Sequence, residues 1–358
     1  MADAFIPDLC RRVADCAARK APLRIRGGGT KDFYGGVPRG DVVDMAGYSG
    51  IVAYEPKELV LTVRAGTPVA EVEAALEADR QMLPFEPPRF EARDDGASSA
   101  TIGGVVATGM SGPRRPYAGA VRDFVLGTRI VNGKGEDLSF GGRVIKNVAG
   151  YDVSRLMTGA LGTLGVITEI SFKVLPRPAA EATLTFEMDE AQAIIEANRW
   201  AGQPLPLSAT AWQDGVLRVR LSGAQAAVDA ARSKMGGEEM ADAGGYWQDL
   251  REQRLAFFSP GEPLWRLSVP QTAPPLALGH SQLVEWGGGL RWVSGALDAL
   301  AARSTAERLG GHATLFRGGD KSIGVFQPLR PALAKIHRRL KDAFDPAGIL
   351  NPGRMYDF

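Results

Sequence analysis

The sequence predicts an α+β protein in two parts, and three observations lead to this fold class. The chain has 358 residues, more than one ordinary domain core accommodates. Short strand and helix patterns alternate up to a proline pair at 176–178, where proline blocks both helix continuation and strand pairing. Beyond it the order is strand, helix, strand, strand, helix, which suits an antiparallel sheet with helices on one face. We therefore expect domains over 1–178 and 179–325, and a C-terminal segment over 326–358.

The first part begins with an amphipathic helix at 5–19, because apolar side chains recur there at helical spacing. Thr67-Pro68 then provides the N-cap and first-turn signal of a second helix, whose apolar face includes Val69 and Val72. The strand patterns around these helices cover 23–26, 42–44, 51–54 and 59–64.

A hairpin is predicted further along the first part. The apolar, β-branched run 121–131 meets Asn132-Gly133-Lys134-Gly135, and 137–140 follows as the returning strand. Asn-Gly tolerates the positive φ that such turns need. A helix at 153–160 and a long strand at 165–175 complete this part.

The second part is clear at its start and harder to interpret between 235 and 310. Strands or helices are predicted at 182–187, 191–200, 209–212, 216–221, 225–234, 264–269, 283–286, 297–309 and 331–344, followed by an irregular tail. Four aromatic residues in the difficult stretch are either core or a partner interface: Trp247, Phe257, Phe258 and Trp265.

Composition excludes several classes of function. The formal net charge is +1, so no whole-molecule field attracts nucleic acid or an anionic membrane. The start of the chain lacks the pattern of a signal peptide, and no apolar run approaches the length of a membrane helix. Cys10 and Cys16 have no neighbours at metal-ligand spacing and are expected to be free thiols in a reducing compartment. We therefore expect a cytoplasmic protein.

Glycine is abundant, at 44 residues, and it clusters at 27–29, 103–112, 141–142 and 159–165. A residue without Cβ lets backbone N–H groups approach a ligand, and successive N–H groups form an anion site. Two such loops in one domain favour a long diphosphate ligand. Their spacing fits neither the P-loop nor the GxGxxG fingerprint of nicotinamide enzymes. Any one loop alone is as consistent with a tight turn that binds nothing.

Four segments follow one another in a specific order and spacing: 26–31 (RGGGTK), 100–109 (ATIGGVVATG), 146–152 (KNVAGYD) and 162–169 (GTLGVITE). Together they resemble the FAD-binding domain of the vanillyl-alcohol-oxidase family, the PCMH type. Further segments are similar to one branch of it, the E-subunit family of glycolate oxidases: 82–88, 112–116, 121–129 and 344–353. The resemblance implies a two-part PCMH-type FAD-binding domain, an α+β cap domain and a C-terminal segment that returns to the FAD domain.

The resemblance also implies where FAD binds. The first glycine loop would receive the pyrophosphate on its amides, and the second would line the diphosphate and the approach to the flavin ring. Ile167 would meet the adenine end and Asn351 the flavin ring, whereas Lys31 is as readily a solvated loop charge. The cofactor residues expected are Arg26, Gly27, Gly28, Gly29, Thr30, Lys31, Pro87, Thr101, Ile102, Gly103, Gly104, Thr108, Gly109, Gly112, Ile167 and Asn351.

Two departures from the family pattern bear on mechanism. Some members bond the flavin to a histidine of the first loop, but the histidines here are His280, His312 and His337. We therefore expect non-covalent FAD. Members that oxidise 2-hydroxy acids directly tend to carry a histidine-rich HxxGDGNxH metal motif, which this chain lacks. No metal site is expected.

Flavin oxidation of a 2-hydroxy acid needs a group that removes the hydroxyl proton and a positive group that holds the carboxylate. His312 and Arg317 are the candidates for these two roles, and Tyr151 is a further candidate beside the flavin. Each has a structural alternative, since a lone histidine is often a satisfied structural residue, an arginine a surface ion pair and a tyrosine a packed core phenol.

The sequence is compatible with three functions. The resemblance implies an FAD subunit that oxidises glycolate to glyoxylate in a complex with a D-type flavoprotein and an F-type iron–sulfur subunit, attached peripherally to the inner membrane through these partners. Two cysteines cannot hold an iron–sulfur cluster, so electrons must leave to a partner or a diffusible acceptor. The alternatives are a stand-alone FAD dehydrogenase for a D-lactate-like acid, and a binding protein whose glycine loops are only turns.

Overall fold

The computed structural model describes residues 2–90, 99–142, 151–259 and 261–357. Its α-helices are α1 Ala2–Arg19, α2 Val69–Ala78, α3 Ile102–Thr108, α4 Arg115–Ala118, α5 Val121–Phe124, α6 Tyr151–Met157, α7 Glu190–Ala201, α8 Gln225–Met235, α9 Ala243–Arg251, α10 Ala299–Arg308 and α11 Pro331–Phe344. Short 3₁₀ helices are found at Pro56–Glu58, Ala256–Phe258, Trp286–Gly288 and Lys321–Ile323.

The strands of the first half are β1 Leu23–Arg26, β2 Asp41–Asp44, β3 Ile51–Glu55, β4 Val60–Arg64, β5 Gln81–Met82, β6 Val125–Val131, β7 Asp137–Gly141, β8 Val166–Lys173 and β9 Leu175–Pro176. Those of the second half are β10 Ala180–Glu187, β11 Leu207–Gln213, β12 Val216–Gly223, β13 Glu238–Glu239, β14 Leu264–Ser268, β15 Gln282–Glu285, β16 Leu290–Ser294 and β17 His312–Arg317.

Within the described residues these strands build two large antiparallel sheets. One has five strands in the order β3-β4-β8-β6-β7, and the other has eight in the order β13-β10-β12-β11-β15-β16-β14-β17. Two smaller pairs join β1 to β2 in parallel and β5 to β9 antiparallel. Helices combined with antiparallel sheets confirm the predicted α+β fold class.

The core of the five-stranded sheet positions the glycine loops. Val63, Val72 and Ile170 are fully buried in one apolar cluster with Ile102, the first residue of α3. A neighbouring cluster joins α1 to the end of the chain, where Leu23 N–H donates to the carbonyl of Ile349 at 2.7 Å. The C-terminal segment therefore packs directly beside β1.

The predicted hairpin is confirmed by the antiparallel pairing of β6 with β7, but its start and its turn differ from the prediction. The run 121–131 is not one strand, because α5 forms first and Asp123 Oδ2 accepts from the N–H of Ala120 at 2.9 Å. In the turn, Asn132 Oδ1 accepts from the N–H groups of Lys134 and Glu136, both at 3.0 Å. Positive φ is found at Gly135, at 78°, rather than at the Asn-Gly pair. The side-chain bonds of Asn132 therefore shape a longer turn.

The aromatic residues of the difficult stretch belong to the core. Trp247, Phe257, Phe258 and Trp265 are all buried, so the interpretation as an interface is wrong. The sequence analysis also missed α9 and β16 in this region. β16 lies between β15 and β14 and completes the sheet that faces the loop 108–113.

A buried ion cluster joins the glycine-loop region to the eight-stranded sheet. The Glu86 carboxylate accepts from Arg220 Nη2 at 2.9 and 3.0 Å and from Arg114 Nε at 3.2 Å. Arg220 lies on β12, and Arg114 directly precedes α4 and also pairs with Glu181 of β10 at 2.6 Å. Burial raises the pKa of Glu86, but Arg220 and Arg114 outweigh it and lower the pKa below its ordinary value of 4.5.

We expect Glu86→Gln to lower the free energy of unfolding by about 3 kcal/mol, because it leaves two buried guanidinium groups without their shared carboxylate. The stabilisation by Glu86 is present above pH 4.5 and is lost as the pH falls through the lower folded-state pKa. Urea unfolding of both proteins at pH 7 and in acid measures this.

Glu77→Gln is the matched control, because Glu77 pairs with Arg177 at 2.8 Å on the surface, where both side chains are about half exposed. This substitution should lower the free energy of unfolding by less than about 1 kcal/mol. Equal losses for the two variants would show that the Glu86 cluster is not a main stabilising contact.

Candidate functional site

A first cavity lies where β1, α3 and the C-terminal segment meet. Its lining contains twelve of the sixteen residues predicted to bind the cofactor: Arg26, Gly27, Gly28, Gly29, Thr30, Lys31, Thr101, Gly103, Gly104, Thr108, Ile167 and Asn351. The fold thus gathers residues from four distant parts of the sequence around one space. That each of these residues contacts FAD stays a prediction.

Glycine is required in these loops because two backbones pack against each other. A Cβ on Gly28 would lie 1.7 Å from the carbonyl oxygen of Ser99, and one on Gly27 would lie 2.3 Å from Thr101 Oγ1. Real Cβ atoms do not approach other atoms so closely, and Gly29 in addition has a φ of 78°. The glycines therefore let the first loop lie directly on the segment that starts α3.

The second glycine loop is held by backbone bonds to the end of β4. The N–H of Gly103 donates to the carbonyl of Ala65 at 2.7 Å, and the N–H of Ile102 donates to the carbonyl of Thr67 at 2.9 Å. Thr101 caps α3 by accepting from the N–H of Gly104 at 3.3 Å. The start of α3 therefore has a fixed position beside the first loop.

The charges around the first cavity suit a diphosphate. Among the described residues of its lining, Arg24, Arg26, Lys31 and Arg354 are cationic and Asp32 is acidic. Asp32 Oδ2 lies 2.6 Å from Arg24 Nη2 and 3.0 Å from Arg26 Nε, so one carboxylate orders two guanidinium groups. The excess of positive charge fits a ligand with two linked phosphates.

Lys31 and Asn351 are both engaged with the protein. Lys31 is buried, and its Nζ lies 3.3 Å from the carbonyl of Arg89, so it is not the solvated loop charge of the alternative interpretation. Asn351 Oδ1 accepts from Ile25 N–H at 2.8 Å, and its Nδ2 donates to the carbonyl of Leu161 at 2.7 Å. Asn351 therefore fastens the C-terminal segment to β1, and its place beside a flavin ring stays a prediction.

A second cavity lies next to the first, and Thr108 lines both. Gly109 and Gly112, two further predicted cofactor residues, form one side of it. The opposite side comes from β14, β15 and β16 of the eight-stranded sheet, and the indole N–H of Trp286 crosses to the carbonyl of Gly112 at 3.2 Å. The first cavity, a cleft beside β1, and the second, a chamber under the sheet, therefore meet at Thr108.

Sequence analysis missed the polar residues of this chamber. Arg266 interrupts the apolar strand β14, and Glu285 ends β15. Glu285 is buried and accepts from Trp292 Nε1 at 2.7 Å, and burial raises its pKa to about 7. A charged residue within a short, mainly apolar strand is the sequence signal by which both residues could have been predicted. The sequence does not show, however, that the two strands face the same loop.

The remaining predicted residues lie elsewhere. Pro87 and Ile102 are buried and line neither cavity. His312 is exposed at the start of β17 opposite Ser268, and Arg317 donates to Gln253 Oε1 and to the carbonyl of Phe258, both at 3.1 Å. Neither side chain lines the two cavities, and their catalytic roles stay predictions.

Tyr151 begins α6, but its side chain lies outside the described residues. In the described part of the chain, no group of three or more metal-ligating side chains could hold a metal ion. No helix there is both long and apolar enough to cross a membrane.

Two family models match the chain. A model described as an FAD binding domain covers residues 6–141, and one described as the C-terminal domain of FAD linked oxidases covers 326–355. The substrate-bound crystal structure of p-cresol methylhydroxylase superposes with a TM-score of 0.71 at 17% identity, covering 96% of this chain and 85% of that one. The chain is therefore an FAD-binding flavoprotein with the fold of the FAD-linked oxidases.

Curated relatives narrow the class further. Glycolate oxidase subunit GlcE of Escherichia coli (strain K12) is 49% identical over 348 residues, which are 97% of this chain and 96% of that protein. Subunit GlcD of Bacillus subtilis (strain 168) is 31% identical over 179 residues, which are 49% of this chain and 37% of that protein. The chain belongs to the GlcE family of glycolate oxidase subunits.

Gly28→Ala should destabilise the protein and reduce FAD retention, because its Cβ would overlap the Ser99 carbonyl at 1.7 Å. Overpacking of this kind costs roughly 1–3 kcal/mol or more. Thermal unfolding and the flavin absorbance of the purified protein measure both effects. Gly47→Ala is the control, since a Cβ at Gly47 meets nothing within 4 Å. If both variants behave like the wild type, the close packing of the two loops is not needed for the site.

Glu285→Gln should flatten the pH dependence of stability. Folding raises the pKa of Glu285 from 4.5 to about 7, so its stabilisation is complete below pH 4.5 and is lost as the pH rises through about 7. The free energy of unfolding of the wild type should therefore fall by about 3 kcal/mol relative to that of Glu285→Gln as the pH rises over this range. Urea unfolding at pH 5 and pH 8 measures it, with exposed Glu262→Gln as the control. A difference that stays constant with pH would contradict the raised pKa.

Proposed function

We propose that the chain is the FAD-binding subunit of a glycolate oxidase, which oxidises glycolate to glyoxylate and passes the electrons through flavin to a partner subunit. One observation carries the proposal: a cleft built from two glycine loops and lined by four cations adjoins a chamber whose lining includes Arg251, Arg266 and Glu285. The relation to subunit GlcE supports this function over the full length of the chain.

The residues of the first cavity fit FAD, bound without a covalent link. Amides of Gly27 to Thr30 and the cations around them would hold the diphosphate, and the segment after Thr101 would lie along it. Ile167 and Asn351 complete the lining at other parts of this cleft. When bound, FAD supplies a two-electron acceptor for the hydride of the substrate. The chain supplies the pocket, its charge and the exclusion of water.

The proposed partner subunits are those that could accept electrons from the flavin. The chain has two cysteines, too few for an iron–sulfur cluster, so a D-type flavoprotein and an F-type iron–sulfur subunit are proposed as neighbours in the complex. We place this complex in the cytoplasm, at the inner membrane through those partners. Co-purification of the three subunits from the native host tests the assignment.

A second candidate function is favoured by the chamber, which gives this chain polar groups of its own for a hydroxy acid. As a stand-alone FAD dehydrogenase, the purified chain would be bleached anaerobically by D-lactate or a similar acid. No bleaching by glycolate, lactate or related acids would exclude this candidate and leave the role of a subunit.

The purified chain should be yellow, with the flavin band near 450 nm, and acid precipitation should release all flavin into the supernatant because no histidine is present in the first loop to bond it. The complex reconstituted without this chain should lose glycolate turnover. Protein that stays colourless after incubation with FAD, or full turnover in its absence, would refute the proposed function.

A further inference from the structure

The chamber contains Arg266, whose guanidinium group has Glu285 as an acidic neighbour but no direct ion pair in the described part of the chain. Arg266 lies on β14 between β16 and β17, and its guanidinium carbon is 5.2 Å from the ring centroid of Trp286. The guanidinium carbon of Arg115 lies 4.4 Å from the same centroid. In the described part of the chain neither arginine forms an ion pair. Two cations thus lie near one indole, and only one of them lines the chamber.

Burial makes this arrangement costly without a ligand. Burial lowers the pKa of Arg266 against the opposing effect of Tyr34 and Glu285, and burial together with Arg266 lowers the pKa of Arg115 against the opposing effect of Asp123. A buried charge is normally paired or serves a function. An anion entering the chamber would supply the direct ion pair that these neighbours do not form with Arg266.

The rest of the chamber is small and combines aromatic walls with the polar side chains of Arg251 and Gln253. Trp286, Trp292, Phe316 and Leu290 line it, together with Tyr34 from the segment that follows the first glycine loop. Trp292 is held by its bond to Glu285, and its ring packs 4.8 Å from that of Phe316. Such surroundings exclude a large or strongly hydrated anion such as a phosphate ester and suit a small carboxylic acid.

We propose that this chamber binds the small 2-hydroxy acid, with Arg266 holding its carboxylate and Glu285 accepting the proton of its hydroxyl group. The proposal rests on the function proposed above and extends it: the substrate site belongs to this chain and not only to its partner subunit. Arg115 acts as a positioning residue, since it adds positive potential beside Trp286 without lining the chamber.

The chemistry balances with these groups. Oxidation breaks the O–H bond and the C2–H bond of the acid and forms a C=O bond. With FAD bound as the two-electron acceptor, the hydroxyl proton would pass to the carboxylate of Glu285 and the C2 hydrogen would leave as a hydride. A carboxylate that titrates near neutral pH can accept that proton and return it to solvent after turnover.

The test uses the full chain loaded with FAD and the inert dianion oxalate, which has no C–H bond to oxidise. Calorimetry and the shift of the flavin spectrum should both report saturable oxalate binding to the wild type. Arg266→Gln should weaken it on the order of tenfold to a hundredfold, because a charge-assisted bidentate contact is lost. Arg266→Lys keeps the charge and should lose less, about threefold to tenfold.

Arg199→Gln is the matched control, because Arg199 also lies over an indole, 5.8 Å from the Trp200 centroid, but on the exposed side of α7. It should bind oxalate like the wild type. Glu285→Gln should keep oxalate affinity within about threefold, yet slow anaerobic flavin reduction by glycolate on the order of a hundredfold or more, as expected when a general base is removed.

The outcomes separate this inference from the proposed function. Chain that never retains FAD would refute the proposed function itself. Yellow wild-type chain without saturable oxalate binding would overturn the inference alone, and so would Arg266 variants that bind oxalate as the wild type does. If Arg266→Gln fails to fold, the wild type and Arg266→Lys still decide the question.

Discussion

The largely buried carboxylate of Glu86 is the contact that joins the loop beside the chamber to the eight-stranded sheet. It lies in the loop after β5 and binds Arg114, beside the second glycine loop, and Arg220 of the eight-stranded sheet. Because the N–H of Gly112 also donates to the carbonyl of Phe85, the loop 108–113 is tied to the same segment as the carboxylate. The distance between the glycine loop and the sheet is thus set by an ion cluster and not only by apolar packing.

The two cavities differ in the charges that line them. The cleft beside β1 carries four cations, two of them ordered by the carboxylate of Asp32, which favours a ligand with linked phosphates. The chamber under the sheet carries Arg266 and the titratable Glu285 between aromatic and polar side chains, which favours one small anion and a proton transfer. Thr108 lines both spaces, so ligands bound in them would lie next to each other.

The first cleft could be predicted from the sequence and the chamber could not, for a physical reason. Glycines such as Gly28 are needed for backbone contact, so they appear as short clusters whose order identifies the family. Arg266 and Glu285 stand alone on separate strands and become neighbours only through the pairing of β14 and β15 with β16. The turn at Asn132 shows the same limit, since side-chain bonds rather than the Asn-Gly pair decide its shape.

The join between Asn351 and Ile25 spans 326 positions of the sequence. On the ribosome, β1 and the first glycine loop emerge long before the residue that closes their far side has been synthesised. Cofactor loading should therefore be a late, post-translational event, and a nascent chain must wait with this cleft open. Cellular flavin supply would then act on finished chains.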